Sequence, residues 1–161
     1  MLLYISLGTL PYLEVDKTIL VCSIPCARYV AAEGNLLGLN NLERAQADGI
    51  VDLVSDLISV FGPIKFLPQN EKQAALDKFY SGVGLNTAKH FEKLIGWYGS
   101  NGHSVGSNAT WADIALFRAN SFLKSLPNFT TEFPKLNAVI DKVAQNERIQ
   151  NYLKTREPLL W

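Results

Sequence analysis

The chain has 161 residues, which suits one domain or one and a half; 48% are apolar and 19% charged, so a disordered chain is excluded. Lys+Arg and Asp+Glu tie at 15 each, which leaves no electrostatic footprint for nucleic acid or an anionic membrane. No apolar run approaches the ~18 residues of a spanning helix, and the apolar residues 1–7 lack the basic stretch that opens a signal peptide.

The first part reads β, β, α. Residues 11–16 (Pro-Tyr-Leu-Glu-Val-Asp) alternate apolar and polar, as a short strand does. Asp16-Lys17 makes a tight turn, and Thr18-Ile19-Leu20-Val21, β-branched and apolar, is predicted to be a buried strand. Ser23 is predicted to cap a helix that tolerates Pro25 in its first turn, runs to about Glu33 and stops at Gly34. The loop-like run from Gly34 to Asn41 is the best boundary. It divides the chain into residues 1–37 and 38–161.

Everything after that boundary reads as helix. The first spans about 42–61, with an apolar stripe of Leu42, Ala45, Ile50, Leu53, Val54, Leu57, Ile58 and Phe61, and Gly62-Pro63 ends or kinks it. A second spans about 71–98, with Leu76, Phe79, Val83, Phe91, Leu94 and Ile95 inward and Gly82 and Gly84 weakening its middle. A polar, Gly-rich loop follows. A third helix, 111–126, is apolar enough to be central, and Pro127 follows it. Pro134 opens a fourth, with Leu136, Val139, Ile140 and Val143, and a shorter one holds Ile149, Tyr152 and Leu153. The expected fold is mainly α: a partial α/β segment of two strands and one helix, followed by an all-α domain. Two strands and one helix cannot bury both faces of a sheet alone. Either the helical part covers them, or the start of a larger domain is missing.

Cys22 and Cys26 are too few for a disulfide scaffold, and His90 and His103 lie far from both in sequence, so no metal-ligand spacing is present. Composition reads as cytoplasmic. The two sequons at Asn108 and Asn128 are short patterns that arise by chance.

Four segments carry chemistry or a fold signature. Gly8-Thr9-Leu10-Pro11-Tyr12-Leu13-Glu14-Val15-Asp16 reads either as an edge strand opened by an ordinary proline or as one entered through a cis X–Pro bond, which would expose the Leu10 backbone. In Cys22-Ser23-Ile24-Pro25-Cys26-Ala27-Arg28-Tyr29-Val30, Ser23 is a plain helix cap, a carboxylate-binding group at a helix N-terminus, or both. Asp48, Asp52 and Asp56 share a helical face at i, i+4, i+8, as a solvated stripe or as a binding feature. Thr110-Trp111-Ala112-Asp113 is a variant capping box opening the most apolar helix.

In this order and spacing the four segments, which together span nearly the whole chain, resemble the glutathione S-transferase family, in a sigma-like class truncated at the N-terminus. The resemblance implies that residues 1–37 are a partial thioredoxin-like, glutathione-binding domain and 38–161 the family's all-helical C-terminal domain. It implies that the Leu10 backbone pairs with the cysteinyl part of glutathione like an added strand. Ser23 would bind the γ-glutamyl carboxylate. Cys22 stands where a Gln or Glu would hold the γ-glutamyl group, and a thiol is a poor substitute for two strong hydrogen bonds. Pro25 also departs from the family's small residue. Asp56 would reach across a dimer interface to the glutathione amine. The capping box would serve folding, with no chemistry of its own.

In sigma-like enzymes a tyrosine near the end of the first strand donates to the glutathione sulfur and lowers its pKa, which supplies the attacking thiolate. This chain begins where the third strand is expected. Tyr4 sits in a strand-like run, but only three residues separate it from Gly8, leaving no room for a crossover helix. Trp97, Trp111 and Trp161 all fall in the helical part, away from where a tryptophan would hold the glycine carboxylate. No catalytic residue and no metal is therefore assigned. The expected function is glutathione conjugation to small hydrophobic electrophiles, with glutathione as co-substrate and activity doubtful. The alternative is a non-catalytic binding or structural (crystallin-like) protein of the same origin, or a truncated isoform that dimerises. Expected partners are a second copy or a full-length relative, with neither nucleic acid nor membrane. An exposed strand edge predicts a tendency to aggregate.

Overall fold

The computed structural model describes Gly8 and residues 10–157; Tyr4 and Trp161 lie outside the described residues. The chain divides into two compact units, Met1–Leu37 and Gly38–Trp161.

The first unit is a β-hairpin followed by a helix. Strand β1 (Tyr12–Val15) pairs antiparallel with β2 (Thr18–Val21), Tyr12 opposite Val21 and Val15 opposite Thr18. Asp16 takes a left-handed φ of 54° in the turn, a conformation its short polar side chain tolerates. Helix α1 (Ser23–Glu33) packs on both strands. The strand expected to be buried is only half so: Thr18 and Ile19 are exposed, Leu20 and Val21 intermediate. Helix α1 ends at Glu33 with Gly34 at its cap, as expected, but the left-handed residue is the next one. Gly34 stays at φ −86°, and Asn35 takes the left-handed position at φ 57°. The Leu36 N–H then bonds Ala31 O at 2.8 Å and the Asn35 N–H bonds Ala32 O at 3.1 Å, the paired bonds that close a helix through a left-handed residue.

The second unit is helical: α2 (Asn41–Phe61), a 3₁₀ segment (Gly62–Phe66), α3 (Gln69–Ser81), α4 (Val83–Tyr98), α5 (Trp111–Leu123), α6 (Phe129–Glu132), α7 (Pro134–Ala144) and α8 (Glu147–Thr155). Helices α2, α4, α5 and α7 pack on one another. The core lies among them: Ile50, Val54, Leu57, Phe91, Leu116, Leu123, Leu136 and Val139 are buried.

Three expectations change. The single helix over 71–98 is two, broken at Gly82 (φ −116°, ψ −104°), where a Cβ would stand 2.9 Å from Lys78 O. Val83, just past the break, is exposed rather than inward. The buried face of α2 is Ala47, Ile50, Val51, Val54 and Leu57, so Leu42, Ala45 and Ile58 from the expected stripe face solvent. The central helix ends at Leu123 instead of 126, and a turn carries the chain on to Pro127.

Polar groups fix the joints. Asn40 accepts the Glu43 N–H at 2.9 Å at the start of α2, while the Glu43 carboxylate takes the Leu39 N–H at 2.8 Å. Glu92 on α4 caps α7 from a distance, accepting the N–H groups of Lys135 (3.1 Å) and Leu136 (2.9 Å). The capping box is present: the buried Asp113 carboxylate accepts the Thr110 N–H at 2.8 Å. It does more than close a helix. It also takes the Ser104 N–H at 2.6 Å and lies 3.3 Å from His103 Nδ1, tying the preceding loop to α5.

Candidate functional site

The first unit carries three of the four expected binding residues. Leu10 is 71% exposed and joins Pro11 through a cis peptide bond. Continuing the hairpin register past Tyr12 and Val21 brings Leu10 and Ser23 beyond the same end of the ladder. Cys22 and Ser23 are both exposed there.

The helix start differs from expectation. Cys22, not Ser23, occupies the cap position, without a side-chain cap bond, and Ser23 is the first helical residue. A thiol is a weak acceptor, so it does not take over the N–H groups that a Ser or Asp cap would satisfy. The Cys26 N–H bonds Cys22 O at 3.2 Å, and Pro25 has no N–H. Ser23 and Ile24 therefore carry the N–H groups that have no intrahelical acceptor. No acidic residue stands in the first turn of α1 to offset the positive end of its dipole. Chemically, this end can receive a carboxylate.

Cys22 itself has φ 71° and ψ 143°. That combination is rare for a residue with a Cβ and costs on the order of 1–3 kcal/mol. Nothing in the sequence marks this strain, because Cys has no turn propensity. Cys26 is a free thiol, half-buried, whose Sγ donates to Leu20 O at 3.5 Å. Among the described residues no three His, Cys, Asp or Glu side chains cluster as a metal site requires.

Asp56, the fourth residue, belongs to the second unit. It is exposed on α2 with Asp52 one turn before it, and Asp48, two turns before, is half-buried. Its carbonyl oxygen accepts the Ser59 hydroxyl at 2.7 Å.

Sequence reasoning missed a recess of about 460 Å³ in the helical unit. Phe61, Ile64, Lys65, Phe66, Lys72, Leu76, Ser121 and Phe122 line it, from α2, the 3₁₀ segment, α3 and α5. The Phe61 and Phe122 rings pack 4.8 Å apart, and Lys65 Nζ lies 5.7 Å from the first ring centre and 5.6 Å from the second. The Arg118 guanidinium lies 4.7 Å from the Phe122 ring centre. Burial, then the charge of Arg118, lowers the Lys65 pKa; burial, then the charge of Arg156, lowers that of Arg118. Gly62-Pro63 was legible as a break. That the break folds a lysine back over two phenylalanines depends on tertiary packing, which spacing does not encode.

Residues 55–156 match the family model of the glutathione S-transferase C-terminal domain. The chain is 32% identical over 156 residues to hematopoietic prostaglandin D synthase of Gallus gallus, across 94% of this chain and 75% of that protein. It is also 32% identical over 155 residues to probable glutathione S-transferase 6 of Caenorhabditis elegans, across 92% and 74%. Among solved structures, a monomeric glutathione S-transferase from the hookworm Necator americanus is similar at a TM-score of 0.85 and 26% identity, covering 97% of this chain and 78% of that one. Rat hPGDS complexed with a quinoline is similar at a TM-score of 0.82 and 25% identity, covering 98% and 78%. The fold is a two-stranded thioredoxin-like part followed by an all-α C-terminal domain. With its helical domain matched over residues 55–156 and a relative 32% identical over 94% of its length, this chain belongs to the glutathione S-transferase family.

Proposed function

We propose that the chain binds glutathione through its first unit and, as these 161 residues, conjugates it to small hydrophobic electrophiles slowly or not at all. The observation that carries the reading is the pairing of an exposed Leu10 with an exposed Ser23 at the open end of α1. The Leu10 backbone offers an N–H and a C=O to the cysteinyl part of glutathione, as an added strand would. The Ser23 N–H and hydroxyl, at the positive end of α1, receive the γ-glutamyl carboxylate. Cys22 holds the place of the family's Gln or Glu and weakens the grip on the γ-glutamyl group.

In this reading the chain is sigma-like, and its exposed Asp56 serves the glutathione amine of a second copy or of a full-length relative. Glutathione is co-substrate, no metal takes part, and the protein works in the cytoplasm. Among the described residues no helix is long and apolar enough to cross a membrane. The described tyrosines of the first unit are Tyr12, in β1, and Tyr29, in α1; neither matches the thiol-activating tyrosine of the family. Where no such donor acts on the glutathione thiol, rate acceleration rests on proximity.

The second reading is a non-catalytic, transferase-derived binding or structural protein; Cys22 at the γ-glutamyl position favours it. Conjugation of glutathione to a generic aryl halide by the purified chain, with circular dichroism confirming helix content, separates the two. A folded chain at the uncatalysed rate supports the second. Clear turnover means another group activates the thiol, and Tyr4 and Cys22 become the residues to substitute.

A further inference from the structure

We infer that Cys22 and Cys26 are a redox-active dithiol: together they reduce a small-molecule disulfide and close into a disulfide of their own. The inference needs only the start of α1 and stands apart from the glutathione reading.

Geometry comes first. The Cys26 N–H bonds Cys22 O at 3.2 Å, a link across one helical turn. Residues so joined have Cα atoms about 6 Å apart, inside the ~4.4–6.8 Å that a disulfide spans. The side chains converge as well. Helical side chains tilt toward the helix N-terminus, and Cys26 Sγ reaches back past the helix start to donate to Leu20 O at 3.5 Å. Cys22 holds the cap position with ψ 143°, the extended value from which a capping side chain folds back over the first turn.

Access sets the order of events. Both thiols are free; Cys22 is exposed and Cys26 half-buried. Cys22 is therefore the sulfur that meets a disulfide, RSSR, from solvent, and Cys26 is the one that resolves. Cys22, as thiolate, attacks one sulfur of RSSR. A mixed disulfide forms on Cys22, and RS⁻ leaves and takes up a proton. Cys26 then gives up Leu20 O, loses its proton to water and attacks Cys22 Sγ. The second RS⁻ is expelled and protonated in turn. Two protein thiols are oxidised, and one RSSR is reduced to two RSH. The N–H groups of Ser23 and Ile24, open at this helix end, favour negative charge developing on sulfur there. Among the described residues no third metal-ligating side chain clusters with the pair.

The test exposes the fully reduced chain to bis(2-hydroxyethyl) disulfide, which has no γ-glutamyl group, and follows the intact mass without reductant. The wild-type chain is expected to lose two hydrogens, keep no adduct, remain a single chain, and return to the dithiol in excess 2-mercaptoethanol. Cys26→Ser should stop at one mercaptoethanol adduct, mapped to Cys22. Cys22→Ser should react about tenfold more slowly, because its remaining sulfur is half-buried. An unreactive wild-type chain, one that keeps its adducts as the end product, or one that couples to a second chain would overturn the inference. So would Cys26 reacting as fast in Cys22→Ser as Cys22 does in Cys26→Ser. Should Cys22→Ser lose its helix content, the wild-type and Cys26→Ser masses decide the matter alone.

Discussion

The two units divide the labour of folding and of chemistry unequally. Among the described residues of the first unit, Ala31 is the one buried hydrophobic residue, whereas the second unit buries whole layers of Leu, Ile, Val and Phe. Yet Leu10, Cys22 and Ser23, three of the four residues proposed to hold glutathione, belong to the first. A hairpin and one helix can carry ligand-facing groups at their edges without enclosing a core, since sheets that small are marginal by themselves. The helical unit shows the converse: its interior is deep, and its polar groups mostly fix helix ends. Substitutions in the buried core of the second unit should therefore register as stability, and those at Leu10 and Ser23 as binding.

The largest effect that would break this contrast is at Asp113. Its buried carboxylate holds the Thr110 and Ser104 N–H groups and neighbours His103. Asp113→Ala should cost about 4 kcal/mol, read by urea unfolding, because two buried donors lose their acceptor. A loss below about 1 kcal/mol would show that water replaces the carboxylate easily. Next, Leu116→Ala in the fully buried centre of α5 should cost about 3 kcal/mol from lost transfer energy and an unfilled cavity. Gly84→Ala should cost about 2 kcal/mol, since its Cβ would sit 2.7 Å from the Phe79 ring. That ring is held edge-on by Phe61 at 5.0 Å and Tyr80 at 5.2 Å and has no room to retreat.

In the first unit the expected sign reverses. Cys22→Gly should stabilise by about 1 kcal/mol, raising the melting temperature, because glycine adopts φ 71° without strain. A drop in melting temperature would mean that the Cys22 side chain contributes packing that outweighs its backbone cost. Smallest of all, Val30→Ala at a 56% exposed position should change stability by no more than about 0.5 kcal/mol.

Local rules carried much of this fold. The turn at Asp16, both strand positions and the span of α1 follow from residues within a few places of each other, and so does the Thr110–Asp113 box. What failed depended on partners distant in sequence. Leu42, Ala45 and Ile58 satisfy helical periodicity but face away from α4 and α5, because two overlapping apolar stripes fit α2 and only its neighbours select one. Gly82 and Gly84 were visible as weak points. That one breaks the helix while the other admits the Phe79 ring is a tertiary fact. The short α6 was missed because Asn128 at φ 51° starts it after Pro127, a conformation no hydrophobic pattern reports. The candidate binding residues were legible as motif positions. The strained backbone of Cys22 and its taking the cap position from Ser23 were not.

The most direct test of the central claim is calorimetric titration of glutathione into the chain and its Cys22→Gln variant. If the first unit binds glutathione as proposed, the wild-type chain gives saturable binding, and Cys22→Gln tightens it about tenfold by restoring hydrogen bonds to the γ-glutamyl group. No binding by either, or equal affinity in both, would contradict the assignment of Cys22 and Ser23 to glutathione.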